Sequence, residues 1–440
     1  MPVSSRAGLA IGASLLLAAA LLTGGGAGAI GPVQCAGSDA TIVGTPGADE
    51  ITGTPGDDVI AALGGSDEVD GRGGADVICG GSGVDRLGGG DGADRVLGQG
   101  DGYSDLCGPG DGRMGDVLQG GAGDDVLLGG DGFSEDDLSF QGSLTGVTVD
   151  MSSGTATGDG ADEFRGIERV RGSAHADRLQ GTAGPDRLLG LKGDDVVVGF
   201  GGNDVLRGDR NVRPEGGDDR LLGGEGRDRM HGMAGSDLVV GGPDGDHIEP
   251  GHGDDRVRAG SGNDEVADGL GCRSTPGSGD DTIALGPGDD FAYDYLRQAN
   301  AATNDIAGGQ GEDDIRIEGT DGTAAGGPGV DALFFISSEC GVTLDLQSTE
   351  MSGCGQQPGT ATSFRFVWGS YADDTIYGSS GRDVIRARKG ADRVEARAGD
   401  DVVRGNIGSD HLNGGPGNDR GSGGHGSDTC IAIESATRCE

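Results

Sequence analysis

Residues 53–97 read GTPGDDVIA, ALGGSDEVD, GRGGADVIC, GGSGVDRLG and GGDGADRVL, five consecutive windows of nine. Each carries aspartate at its sixth position (Asp58, Asp67, Asp76, Asp85, Asp94) and a branched aliphatic residue at its eighth (Ile60, Val69, Ile78, Leu87, Val96). A fixed period of this kind marks a repeat architecture, in which each unit buries its apolar side chain only by stacking on its neighbours. Glycines at positions one, two and four permit the positive φ angles of a tight loop, and the triplet around position eight has room for a minimal strand. If successive windows alternate between two facing sheets, eighteen residues make one coil, and coils stack about 4.8 Å apart. The expected fold is all-β: a parallel β-roll, or β-solenoid, with the position-six aspartates aligned in a ladder along each edge.

The same register runs through 44–128, 172–267, 276–334 and 369–431, with breaks near 100–119, 208–213, 268–275 and 294–307. Two segments lack it and resemble each other. One contains GVTVD at 146–150 and RGIERVRGS at 165–173; the other contains GVTLD at 341–345 and SFRFVWGS at 363–370. Alternation of Val147 with Val149, and of Val342 with Leu344, suits strands with one covered face, so both read as β-rich inserts. The expected organisation is a first roll block over 30–136, an insert over 137–171, second and third blocks over 172–334, a second insert over 335–368, a fourth block over 369–431 and a tail over 432–440.

Composition excludes several classes of function. With 98 glycines in 440 residues and 3% aromatics, no conventional globular core can form. The net charge of −42 disfavours nucleic acid and anionic membrane surfaces as partners. At the N-terminus, Arg6, an apolar run from Leu9 to Leu22 and the small residues Ala27-Gly28-Ala29 fit an export signal over 1–29, which implies a secreted, extracellular protein with no membrane insertion after cleavage. Eight cysteines then suggest disulfides. Cys430 with Cys439 and Cys340 with Cys354 look like local pairs, while Cys35, Cys79, Cys107 and Cys272 cannot be paired from sequence. No C-x-x-C is present, which argues against zinc or iron–sulfur ligation.

Burying one aliphatic side chain contributes about 1.5–3 kcal/mol, well short of the conformational entropy of nine ordered residues. Stacked aspartates add like-charge repulsion, so the coil needs a cation between its carboxylates. Calcium fits a site made only of carboxylate and carbonyl oxygens in an adaptable arrangement, whereas magnesium demands tighter octahedral geometry.

These windows resemble the G-G-x-G-x-D-x-U-x nonapeptides of RTX, or hemolysin-type, calcium-binding proteins, over most of the chain. The resemblance implies multiple calcium ions, each between adjacent loops on one edge, held by position-six carboxylates and loop carbonyls. Carried onto this sequence, the implied ligands are Asp58, Asp67, Asp76, Asp85, Asp94 and Asp125; Asp186, Asp195 and Asp204; Asp228, Asp237, Asp246, Asp255 and Asp264; Asp281 and Asp290; and Asp383, Asp392, Asp401, Asp410 and Asp419. The pattern departs at Asp244, where glycine belongs, and at Gly421, where the inward aliphatic should stand, so those coils are expected to be disturbed.

Catalytic signatures are missing from the sequence. The six histidines form no H-E-x-x-H, and H-I-E-P-G-H at 247–252 has the wrong spacing; G-x-S-x-G is absent too. Asp57/Asp58-type pairs belong to turns by their periodicity, the histidines are expected at solvated turn or outward positions, and arginines such as Arg86, Arg95, Arg187, Arg229 and Arg256 at position seven face outward. The expectation is a non-enzymatic, exported protein that folds on binding calcium. Alternatives are an adhesin or surface-layer component whose inserts, rich in Phe334, Phe335, Phe364, Phe366 and Trp368, bind a glycan or protein, and an enzyme of unknown type within 294–350.

Overall fold

The computed structural model describes residues 32–98, 114–130, 135–210, 216–268, 279–294, 303–337, 340–354 and 357–439. The export signal expected over 1–29, and Cys107 and Cys272, lie outside the described residues. Among these residues there is no helix; two long sheets of short strands face each other, and none of the described elements is a helix able to cross a membrane.

The eighteen-residue coil is present as expected. Val59–Ala61 pairs in parallel with Val77–Cys79, which pairs with Arg95–Leu97; Glu50–Thr52 pairs with Glu68–Asp70, which pairs with Arg86–Asp91. Because side chains alternate along a strand, the middle residue of each triplet points inward. One file therefore runs Ile60, Ile78, Val96, Leu127 and the facing file runs Ile51, Val69, Leu87, Leu118, Leu138, all buried in one continuous core.

Both inserts take the same path. In the first, Thr148–Asp150 lies parallel to Arg178–Gln180 but antiparallel to Thr155–Thr157, which is antiparallel to Ala161–Arg165, which in turn rejoins Val126–Leu128 in parallel. The second repeats this with Thr343–Asp345, Glu350–Ser352 and Gly359–Thr362 between Thr375–Tyr377 and Gly322–Ala325. Each is an antiparallel detour spliced into one sheet while the other sheet continues in parallel. Val147, Val149, Val342 and Leu344 sit in the core, as do Phe335 and Phe364.

Several expectations need correction. Positive φ occurs at positions two and four, as at Arg72 (74°) and Gly74 (112°), but not at position one. Position one is glycine for space: a Cβ on Gly71 would stand 2.5 Å from Asp76 Oδ2. The coil at Asp244 forms, with that residue itself at φ 77°. At Gly421 the missing aliphatic is supplied by Ile433, whose Cδ1 would lie 2.8 Å from a Cβ there. His231 is not solvated: it is buried and bonded through Nδ1 to Glu249 at 3.1 Å. Cys35 pairs with Cys79, closing an N-terminal hairpin over the outer face of one sheet, and Cys340–Cys354 and Cys430–Cys439 pair as expected.

Candidate metal centres along the loop edges

At each edge the aspartates form a hydrogen-bonded ladder. The Asp58 N–H donates to Oδ1 of Asp76, Asp76 N–H to Asp94 and Asp94 N–H to Asp125, each at 2.8 Å, and Asp125 N–H reaches Asp162 at 3.1 Å. On the opposite edge the order is Asp49, Asp67, Asp85, Asp116, Asp136, Glu168. A second pair of ladders runs Asp177, Asp195, Asp219, Asp237, Asp255, Asp281, Asn304 and Asp186, Asp204, Asp228, Asp246, Asp264, Asp290, Asp313, Asp331. A third runs Asp374, Asp392, Asp410, Asp428 and Asp383, Asp401, Asp419, Glu434.

All the sequence-predicted aspartates therefore stand in these ladders, and the ladders cross every register break. Asp94 and Asp125 are 31 residues apart, Asp195 and Asp219 are 24 apart, and Asp255 and Asp281 are 26 apart, yet the bond is the same. The added residues leave the carboxylates on either side in the same place in the ladder. Asp116, Asp219, Asp313 and Asp331, which stand at or beyond the register breaks, were missed by reading uninterrupted nines, and the D-x-aliphatic triplets Asp116-Val-Leu118, Asp219-Arg-Leu221 and Asp313-Asp-Ile315 were the available signal; Asp49, Asp177, Asp374 and Asp428 were also missed, although the nine-residue spacing itself reaches them.

With Oδ1 and the backbone committed to the ladder, Oδ2 decides the chemistry. In Asp67, Asp76, Asp94, Asp125, Asp195, Asp204, Asp219, Asp237, Asp255, Asp401 and their equivalents, Oδ2 is buried with no hydrogen-bond partner. An unpaired, buried carboxylate oxygen is costly. Burial, reinforced by neighbouring carboxylates, pushes Asp94 and Asp125 up to about 6, Asp204, Asp237 and Asp246 to about 7, Asp195 and Asp255 to about 8, and Asp219 to about 9. Two further buried carboxylates, Asp209 and Asp268, stand with the Asp195–Asp281 ladder next to its register breaks, and each also has an oxygen without a partner. They stand where glycine is usual, at positions two and one, so the repeat pattern conceals them.

Among the described residues, no three His, Cys, Asp or Glu side chains gather into one ligating group. A cation held on these edges would need loop carbonyls for part of its oxygen shell. A hard cation that accepts many oxygens at adaptable distances meets this donor set, and the orphaned Oδ2 atoms fit such an ion.

The family of the RTX calcium-binding nonapeptide repeat (4 copies) matches residues 43–78, 112–133, 170–210, 215–248, 249–270, 277–293, 368–403 and 395–430, more than half of the chain. No curated protein matches. Among solved structures, a hyperactive, Ca2+-dependent, β-helical antifreeze protein from an Antarctic bacterium is 14% identical, over 82% of this chain and 85% of that one, with a TM-score of 0.16. So low a TM-score carries no argument, whereas the repeat match spans the ladders themselves. The chain belongs to the RTX calcium-binding nonapeptide-repeat family, and its cofactor is calcium, with several ions per chain.

Proposed function

We propose that this chain is an extracellular calcium-dependent β-roll, exported through a cleaved signal over 1–29 and wound into its coils on meeting calcium outside the cell. The observation that carries the reading is the row of buried Oδ2 atoms lacking any donor. Bound calcium supplies the positive charge that offsets like-charged, desolvated carboxylates. The chain's part is to fix each carboxylate: the Asp N–H of one coil orients Oδ1 of the next, and the glycine at position one makes room for Oδ2. The three disulfides among the described residues suit an oxidising compartment. The proposed division is that set out from the sequence, with four roll blocks separated by inserts over 137–171 and 335–368. The reading gives the chain a structural role rather than a catalytic one.

Far-UV circular dichroism of the oxidised chain is expected to pass from coil to β as calcium is added. An identical, folded spectrum in excess EGTA would refute the reading.

A second reading, adhesion to a glycan, draws on one outer-face column. Tyr293, Arg316, Phe334, Trp368 and Arg386 occupy consecutive register positions, with Phe334 stacked on Trp368 at 4.0 Å and Arg386 over the Trp368 ring at 5.0 Å. A glycan array probed with wild type and Trp368→Ala tests it, and silence from both removes it.

A further inference from the structure

Two kinds of loop recur at the ladder edges, and in one of them the aspartate Oδ2 is already hydrogen-bonded within its own loop. In six loops position two is threonine or serine: Thr45, Thr54, Ser173, Thr182, Ser370 and Ser379. In each, the backbone N–H of that residue donates to Oδ2 of the loop's own aspartate, at 2.6 Å to Asp49, 2.6 Å to Asp58, 2.5 Å to Asp177, 2.5 Å to Asp186, 2.8 Å to Asp374 and 2.6 Å to Asp383. The hydroxyl accepts the N–H of position four in all six, as from Gly56 at 3.3 Å and Ala372 at 3.1 Å. It is the side-chain-to-backbone turn that serine and threonine favour.

The backbone follows suit. None of these six position-two residues has positive φ, and position four is His175 or Ala372 in two of the loops. In the other class, position two is left-handed even as Leu63, Arg72, Phe200, Met233 or Arg388. No Oδ2 of the six capped aspartates is orphaned, in contrast to the aspartates one coil further on.

Their placement is equally regular. Asp49 and Asp58 open the first pair of ladders, Asp177 and Asp186 the second, and Asp374 and Asp383 the third, one capped loop on each edge. The latter two coils directly follow the antiparallel inserts, where the preceding chain offers no glycine-rich loop to share an ion; Oδ1 of Asp177 and of Asp374 instead accepts the N–H of Val147 and Val342.

We propose that these three coils are calcium-independent caps, whose carboxylates ligate no ion, and that each ion ladder starts one coil later, at Asp67 and Asp76, Asp195 and Asp204, and Asp392 and Asp401. This rests on the calcium reading and removes Asp58, Asp186 and Asp383 from the ligands that the repeat resemblance implies. Peptide hydrogen bonds occupy the place that the metal takes elsewhere, so a block can begin against a hairpin or an insert without an unfilled site at its face.

The slope of the melting temperature against log calcium concentration reports the ions released on unfolding. It is measured on the full oxidised chain for wild type, for Asp58→Asn/Asp186→Asn/Asp383→Asn and for Asp76→Asn/Asp204→Asn/Asp401→Asn. The first variant is expected to melt lower along a line parallel to wild type, because its amides oppose the capping N–H groups; the second should show a shallower slope. A slope reduced as much in the first variant as in the second overturns the proposal. If the first triple variant does not fold, single Asp58→Asn in the outermost coil, set against Asp76→Asn, makes the same comparison. A flat wild-type line overturns the calcium reading itself, a result distinct from failure of the caps alone.

Discussion

Replacing Asp237 by asparagine should have opposite effects with and without calcium. The Asp237 side chain is buried mid-ladder: Oδ1 accepts the Asp219 N–H at 2.8 Å, and Oδ2 has no partner. Its carboxyl, pushed up by burial and by Asp209 and Asp218, ionises at about 7 in the folded chain against an ordinary 3.8. At pH 8 in chelator, an ionised Asp237 therefore opposes folding by about 4 kcal/mol, at 1.36 kcal/mol per pH unit. Asparagine keeps the Oδ1 acceptor and removes the charge, at a cost of about 1–3 kcal/mol if its NH2 finds no carbonyl. The calcium-free roll should gain about 2 kcal/mol, roughly thirtyfold in its folding equilibrium. Because the raised group favours folding below 3.8 and loses that contribution as pH climbs through 7, the advantage of the variant should shrink as pH falls, vanish at about pH 5, where the charge penalty equals the cost of the amide, and reverse by pH 4. With calcium the sign reverses, since a ligand charge is gone and more calcium is needed to half-fold the chain. The assay is circular dichroism in EGTA against trimethylamine oxide, an osmolyte that favours burial, with exposed Glu225→Gln as the charge-matched control. A variant that needs as much osmolyte as that control would show that desolvated carboxylates do not limit the metal-free fold.

Two other perturbations probe the loop and the outer face. Gly74→Ala places a Cβ 2.5 Å from Asp57 N at φ 112° and should cost at least about 2 kcal/mol, whereas Gly56→Ala, in a capped loop with nothing within 4 Å and no positive φ, should be neutral to slightly stabilising in thermal melts; equal losses would contradict the two loop classes. His247 bonds Glu249 at 3.3 Å and Glu265 at 3.1 Å, which raises its pKa above 6.5, while Glu249, bonded by His231 and His247, is held below its usual range. The His247 contribution is thus complete below pH 6.5 and lost as pH rises past its folded value, and that of Glu249 is lost as pH falls below about 4.5; an NMR titration in which Glu249→Gln leaves the His247 midpoint unmoved would dismiss the pairing.

The parts of this fold legible in the sequence are those set by local chemistry. An aliphatic side chain two residues after each aspartate fixes which face turns inward, and a nine-residue spacing fixes the coil, so Ile60 over Ile78 over Val96 could be read without coordinates. Pairing that depends on stacking could not be read. Cys35 meets Cys79 because a hairpin folds back across the sheet, and Asp195 meets Asp219 although six more residues lie between them than between Asp219 and Asp237. Likewise Asp209 and Asp268 stand at glycine positions, where the repeat pattern registers a mismatch and only the assembled edge reveals another carboxylate.

The distinction between Thr54 and Arg72 sits between these cases, because both occupy position two and both tolerate exposure, yet they send the loop along different paths. A side-chain oxygen at Thr54 receives the N–H of Gly56 and lets its own amide turn onto Asp58; the Arg72 side chain offers no such acceptor, and its backbone adopts φ 74° with Asp76 Oδ2 left bare. One hydroxyl thus selects whether the neighbouring carboxylate is satisfied by peptide or left for metal. The selection is written in single residues at the start of each block, so calcium dependence is a property of individual coils that one substitution at position two can move.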